Sequence, residues 1–205
     1  MARDTQSITK MSRREGYALH PKAVKILARR SALPGQQGRS KRRTNASQYS
    51  LQLREKQKVK RLYGLLERQF SNLMKEASRK TGQSGVILLQ LLEQRADNVI
   101  YRAGFANSRR AARQLVTHGH FMLNGRRVDI PSIRLKPGDE LIIRPKSLKS
   151  DYFKNIDDLT SANDVVVSWI KVDRKKFKVS VVALPSREEA EPEINEQLIV
   201  EYYSR

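Results

Sequence analysis

Arginines recur between Leu91 and Asp139, among them Arg95, Arg102, Arg109, Arg110, Arg113, Arg126 and Arg127. A guanidinium stays protonated at any physiological pH, so it is a poor proton-transfer catalyst. Its planar fork of donors fits phosphate or carboxylate oxygens and stacks on flat rings. Arg109, Arg110, Arg113 and Gln114 cannot all turn inward, because burying unpaired guanidinium groups is very costly. The chemistry on offer is anion recognition. Catalytic constellations are missing by contrast: no Gly-rich loop precedes Lys-Ser/Thr, and neither HExxH nor GxSxG occurs. Asp97, lying between Arg95 and Arg102, is expected to orient those arginines or to cap a loop rather than to transfer a proton. The three histidines, His20, His118 and His120, make no metal set. The chain has no cysteine, which rules out disulfides and thiolate zinc sites and fits a reducing cytosolic setting. Neither a metal nor a cofactor is expected.

The elements that would hold these side chains can be read from periodicity. Leu91, Leu92, Ala96, Val99, Ile100 and Ala103 recur at helical steps, and Gly104 ends that run. Ser108 is placed to cap a second helix, Arg109 to His118, which stops at Gly119. Asn124-Gly125 between Phe121–Leu123 and Arg127-Val128 is a strong hairpin signal, and Pro137-Gly138-Asp139 turns the chain again before Leu141–Ile143. Two short helices and tight-turned strands would thus form an apolar frame displaying Arg102, Arg109, Arg110, Arg113, Arg126 and Arg127.

Around this frame, Pro21 opens a short helix reaching about Ser31. Gln36 to Ser47 is basic and nearly devoid of apolar residues. Ser50 to Lys80 reads as a long helical stretch broken near Tyr63-Gly64, with Arg54, Lys56, Lys58, Lys60 and Arg61 on its polar face; Ser84 can cap the next helix. Lys146 to Asp164 is polar and expected to be irregular. Val165–Val172 and Phe177–Val181 alternate as a second hairpin, in which Trp169 is expected to be core. Ile194, Leu198, Ile199 and Tyr202 form a helical stripe that can return to pack on the Leu51–Ala77 helices. The expected fold class is α+β: a basic N-terminal arm (1–45), a helical domain (46–92) completed from the far end of the chain (187–205), and an inserted domain (93–186) of two short helices and a small, mostly antiparallel sheet.

Charge narrows the partner. The chain of 205 residues carries 41 Lys and Arg against 21 Asp and Glu, net +20. Residues 1–60 hold 16 basic and 3 acidic side chains, residues 61–150 hold 17 and 7, and residues 151–205 hold 8 and 11. The first two segments suit a polyanion through phosphate neutralisation and counterion release. The last suits a protein. No stretch has the run of roughly 18 apolar residues that a spanning helix requires, and no signal pattern opens the chain, so nucleic acid is preferred to a membrane.

The run RADNVIYRAGFANSRRAARQLVTHGHFMLNGRRVDIPS resembles the S-four-type RNA-binding domain. SRREG at Ser12–Gly16, QLREKQKVKRLYGLLERQF at Gln52–Phe70 and INEQLIVEYYSR at Ile194–Arg205 are similar to further segments of the bacterial-type ribosomal protein S-four family. Many relatives order their N-terminal arm with four cysteines around zinc, a pattern this chain lacks. The resemblance implies a structural, non-enzymatic constituent of the small ribosomal subunit in the cytoplasm. It implies direct binding to small-subunit ribosomal RNA at a helical junction of the 5′ domain, early in assembly. It further implies contact with ribosomal protein S-five and other small-subunit proteins, a place beside the entrance channel for messenger RNA, influence on decoding accuracy, and a capacity to repress its own messenger. No small-molecule substrate is implied. The alternatives are a free messenger-binding repressor and an RNA-modifying enzyme, though such enzymes add a catalytic domain for which this chain has no room.

The residues expected to touch RNA are Arg95, Arg102, Arg109, Arg110, Arg113, Gln114 and Arg126 in the inserted domain. In the arms they are Arg13, Arg14, Lys41, Arg42, Arg43, Arg54, Lys58, Arg61 and Arg68, with Tyr63 as a stacking partner. Ile194, Leu198, Glu201, Tyr202 and Tyr203 are the expected protein contacts. Arg109 and Arg113 are expected on the surface, so that their removal would weaken RNA binding and spare stability.

Overall fold

A computed structural model describes residues 4–30, 32–35, 47–160 and 167–204. It is α+β, as the sequence patterning implied, with ten α-helices and a five-stranded antiparallel sheet among the described residues. The chain divides into two compact units, one built from residues 1–88 and 193–205, the other from residues 89–192.

In the first unit, α1 (Ile8–Glu15) is followed by α2 (Pro21–Arg29). The Nδ1 of His20 caps α2 by accepting from the Lys22 N–H at 3.1 Å. Then come α3 (Gln48–Leu62), the break at Tyr63-Gly64, and α4 (Glu67–Arg79). α5 (Ser84–Glu93) begins at Ser84 itself, so this serine is the first helical residue rather than a cap. The last helix of the chain, α10 (Glu196–Tyr203), packs against α3, and Ile194 and Ile199 are buried. Polar ties reinforce that return: Gln52 Nε2 donates to Glu201 at 2.8 Å, and the Asn195 N–H donates to Glu55 at 2.9 Å. Lys56 is buried, with Nζ 2.6 Å from Glu67 and 4.5 Å from the centre of the Tyr202 ring.

The second unit contains α6 (Ala96–Arg102), α7 (Arg109–Thr117), β1 (Phe121–Leu123), β2 (Arg126–Val128) and β3 (Glu140–Ile143). After these come α8 (Asp151–Lys154), α9 (Ile156–Thr160), β4 (Ile170–Asp173) and β5 (Lys178–Val181). The sheet order is β2-β1-β3-β5-β4. Its inward side chains, among them Phe121, Leu141, Ile143, Val179 and Val181, share one core with Val99, Ile100, Leu115 and Val116 from α6 and α7. Trp169 is in that core, as expected.

Two further expectations fail. Leu91 to Ala103 is not one helix: Arg95 is extended between α5 and α6, because the Ala96 N–H donates to the Ile133 carbonyl at 2.8 Å and the Leu135 N–H to the Gln94 carbonyl at 2.9 Å. A neighbouring segment thus takes over backbone groups that a continuous helix would use. Nor is the described part of the stretch after Lys146, up to Thr160, irregular; residues 161–164 lie outside the described residues. The described part forms a 3-10 turn (Ser147–Lys149) followed by α8 and α9, whose Phe153 and Ile156 are buried in the core.

Burial pushes the Glu67 carboxyl up, but hydrogen bonds and charge from Lys56 and Lys60 outweigh it and hold the group below its ordinary 4.5. A folded-state value below the unfolded one contributes stability that is present above the unfolded value and lost as pH falls through the folded one. Glu67→Gln removes that contribution. The difference in unfolding free energy between wild type and variant is expected to shrink as pH falls from neutral to below 4.5, measured by urea unfolding at each pH.

Candidate nucleic-acid interface

α7 forms the ridge of the candidate surface in the second unit. The Ser108 hydroxyl caps it, accepting from the Ala111 N–H at 3.2 Å, and Ala112, Leu115 and Val116 face the core. Arg110, Gln114 and His118 are left exposed at four-residue spacing, one above the next along the helix. The stripe runs into Gly119, where φ is +69°. A Cβ there would lie 2.5 Å from Arg127 Nε, so the glycine serves both the left-handed turn and the close passage of the Arg127 guanidinium. On the same turn, Arg144 Nη1 donates to the Gly119 carbonyl at 3.0 Å. Burial, reinforced by the neighbouring His118 and Arg144, holds His120 below its ordinary 6.5.

Beside the turn, β2 presents Arg126 and Arg127 to solvent. The β1-β2 hairpin turns through Asn124 and Gly125 with φ of 48° and 79°, both in the left-handed region that the twist of a two-residue hairpin demands. The Asn124 amide braces it, donating to Asp139 at 2.8 Å and accepting from the Glu140 N–H at 2.9 Å.

Beneath this surface lies a buried ionic network. The Glu93 carboxylate, 0% exposed, takes both prongs of Arg102 at 3.0 and 2.9 Å and the Asn98 amide at 2.6 Å. Asn98 in turn accepts from Arg109 Nε at 2.8 Å. Arg109 also donates to Glu191 at 2.7 Å and lies 4.6 Å above the Tyr101 ring. Asp97 takes the fork of Arg95 at 3.0 and 2.8 Å, caps the Asn98 N–H at 3.0 Å, and has Arg113 3.5 Å away. Asp97 does orient an arginine, as its position suggests.

The sequence-predicted residues therefore separate. Arg110, Gln114 and Arg126 are exposed on the candidate surface. Arg95 and Arg102 are not displayed. They are buried and forked onto carboxylates, because Asp97 and Glu93 supply the counter-charge that makes burial tolerable. Arg109 and Arg113, with side chains 11% and 14% exposed, are half-committed to internal partners, so their removal is not neutral to stability. In the first unit, Arg14 and Arg68 are exposed, while Arg13 donates to the Ala32 and Leu33 carbonyls. Arg54 and Arg61 both pair with buried Glu15, whose carboxyl burial pushes up against their pull. Lys58 donates to the Glu193 carbonyl at 2.6 Å. Tyr63 is buried, which removes it as a stacking partner. Lys41, Arg42 and Arg43 lie outside the described residues.

Of the expected protein contacts, Ile194 is core rather than surface. Leu198, Glu201, Tyr202 and Tyr203 are partly exposed on α10, where Glu201 is tied to Gln52, and the Tyr203 hydroxyl donates to Glu67 at 3.1 Å. Sequence reasoning leaves Arg127 out of the expected contacts, although it sits in the displayed hairpin. It overlooks Arg144, which only the sheet register brings back to Gly119. Among the described residues no group of three His, Asp or Glu side chains is placed to hold a metal ion, and no helix is long and apolar enough to cross a membrane.

Comparison with known proteins decides the family. The ribosomal protein S4/S9 N-terminal domain matches residues 3–93, and the S4 domain matches residues 94–141. Two proteins called small ribosomal subunit protein uS4, from Chloroflexus aurantiacus and Chlorobaculum tepidum, are 50% and 51% identical to the chain over 206 residues, covering all of both sequences in each case. The chain belongs to the uS4 family. A third relative of that name, from Herpetosiphon aurantiacus, is 51% identical over 211 residues and again covers both chains fully. In uS4 terms, the S4 domain match takes in the whole of α6, α7 and the first hairpin, which are the elements carrying the arginine surface.

The buried pairs and the surface arginines should respond differently to truncation. Arg102→Ala takes from the buried Glu93 carboxylate the guanidinium forked onto both its oxygens and is expected to cost about 3–5 kcal/mol. Arg110→Ala should change stability by less than about 0.5 kcal/mol. Guanidinium unfolding of the two variants measures both.

Proposed function

We propose that this chain is a structural, non-enzymatic constituent of the small ribosomal subunit that binds small-subunit ribosomal RNA directly. The observation that carries this reading is the set of exposed arginines, Arg110 on α7 and Arg126 and Arg127 on β2, with Gln114 and half-exposed Arg144 beside them, on a domain of the uS4 family. Double-stranded RNA hides its bases in a deep, narrow major groove. A rigid ridge of guanidinium groups therefore reads the contour of the sugar–phosphate backbone rather than the sequence. The arginines fork onto phosphate oxygens and stack where a junction exposes a base.

Membership of the family supports a finer reading. The target is a helical junction of the 5′ domain, bound early so that assembly of the subunit is nucleated there, in the cytoplasm. The basic arm (1–45) and the helical domain (46–92 with 187–205) add contacts through Arg14, Lys41, Arg42, Arg43 and Arg68, while 93–186 supplies the ridge. The α3–α10 face meets ribosomal protein S-five: Tyr49 on α3 is 48% exposed, and its ring centre lies 5.8 Å from that of Tyr202 on α10, in the part of the chain where acidic side chains outnumber basic ones. Through that contact the chain influences decoding accuracy and the messenger entrance.

Binding to a transcript of the 5′ domain is expected to weaken steeply with salt, as for on the order of 8 neutralised phosphates. Replacing Arg110, Arg126 and Arg127 together by Ala should lower the log–log salt slope by about 2 and leave the melting temperature unchanged. Filter binding from low to moderate salt reads both. A flat salt response, or a triple variant that binds like wild type, overturns the reading.

A further inference from the structure

Arg109 opens α7 beside Arg110, yet it meets a carboxylate from a distant part of the chain before it meets any RNA. Its Nε is held by the neutral Asn98 amide and its plane by the Tyr101 ring, while Nη2 donates to Glu191 Oε1 at 2.7 Å. A carboxylate and a phosphate offer a guanidinium the same charge and a similar pair of acceptor oxygens. We propose that Glu191 is an affinity-setting residue, a place-holder on Arg109 that a backbone phosphate of the bound RNA displaces.

Three observations single out Glu191 among the acids of this unit. First, Glu93 is 0% exposed and Asp97 only 4%, so neither can leave its arginines without stranding charge in the core, whereas the Glu191 side chain is 17% exposed and can swing to water. Second, the same Glu191 oxygen lies 3.4 Å from Arg102, but Arg102 already has both prongs on Glu93 and keeps its counter-charge when Glu191 departs. Third, the backbone under Glu191 is anchored: Ala190 is buried, and Glu189 accepts from Ser168 and Ser186. Glu191 can therefore rotate away from Nη2 without any movement of its backbone.

Exchange of one anion for another has a signature. Arg109 is already neutralised before RNA arrives, so its phosphate contact releases less of the counterion atmosphere than a solvated arginine would. Removing the charge of Glu191 should tighten binding and steepen its salt dependence together. A purely structural role predicts the opposite sign.

The inference rests on the ribosomal RNA reading above, and the test uses the full-length chain with the same 5′-domain transcript. Glu191→Gln is expected to bind about fivefold more tightly at low salt. Its log–log salt slope is expected to be steeper by about 0.7–0.9. Both changes should vanish in the Arg109→Ala background. Glu191→Asp keeps the charge but falls short of Nη2, and tighter binding is expected there too, which covers the case of a poorly folding glutamine variant. Unchanged or weaker binding in both variants overturns the inference. If Arg109→Ala, and the Arg110, Arg126 and Arg127 triple variant, both bind like wild type, the interface itself is wrong and the inference falls with it. If those variants lose affinity while the Glu191 variants gain none, only the role of Glu191 is refuted.

Discussion

A carboxylate sealed from water cannot remain charged alone, and around Glu93 that constraint organises three elements. Its two oxygens draw in the Arg102 fork and the Asn98 amide, and Asn98 passes the constraint on to Arg109 at the head of α7. The chain from α5 through α6 to α7 is thereby linked by charge-assisted bonds whose removal one at a time strands a partner. Such a network need not stabilise the fold more than apolar packing of the same volume would. What it does is fix the direction of the helix that carries the exposed arginines. A surface that reads backbone contour needs that fixity, because no base-specific bond corrects a misplaced side chain.

The arginines of the second unit divide by the company they keep. Arg95 and Arg102 are consumed by carboxylates inside, while Arg110, Arg126 and Arg127 face water. Arg109 and Arg113 stand between, part interior and part surface. Formal charge therefore overstates the field available to a polyanion. The hairpin gains its precision separately, from the Asn124 amide bridging two turns and from Gly119 yielding room to Arg127.

Much of this is legible in the residues. The Ser108 cap, the Asn124-Gly125 turn, the break at Tyr63-Gly64 and the return of the last helix onto α3 all come from local turn chemistry and apolar period. The failures share one cause. The junction at Arg95 depends on backbone groups of Ile133 and Leu135, about forty residues away in sequence, and no periodicity carries that information. Similarly, Glu93 and Arg102 look unrelated until the helix breaks between them. Spacing places an arginine on an element but does not say whether a nearby acid turns it inward, and for that reason spacing alone assigns Arg95 and Arg102 to a surface they do not reach. Lys146 to Asp164 reads as polar, yet Phe153 and Ile156 bury in the core, with Tyr152 packed beside them.

The two units also differ in when they can be finished during synthesis. Residues 89–192 are continuous, so everything that unit needs emerges from the translating ribosome in one piece. The other unit must wait for residues 193–205, with its first segment already extruded and α3 still missing the cover of α10. Domains tend to fold as they appear, N-terminal portions first. Here the later-made portion is complete first, and the nascent chain carries an open, basic, half-apolar helix face for as long as its closing helix remains untranslated.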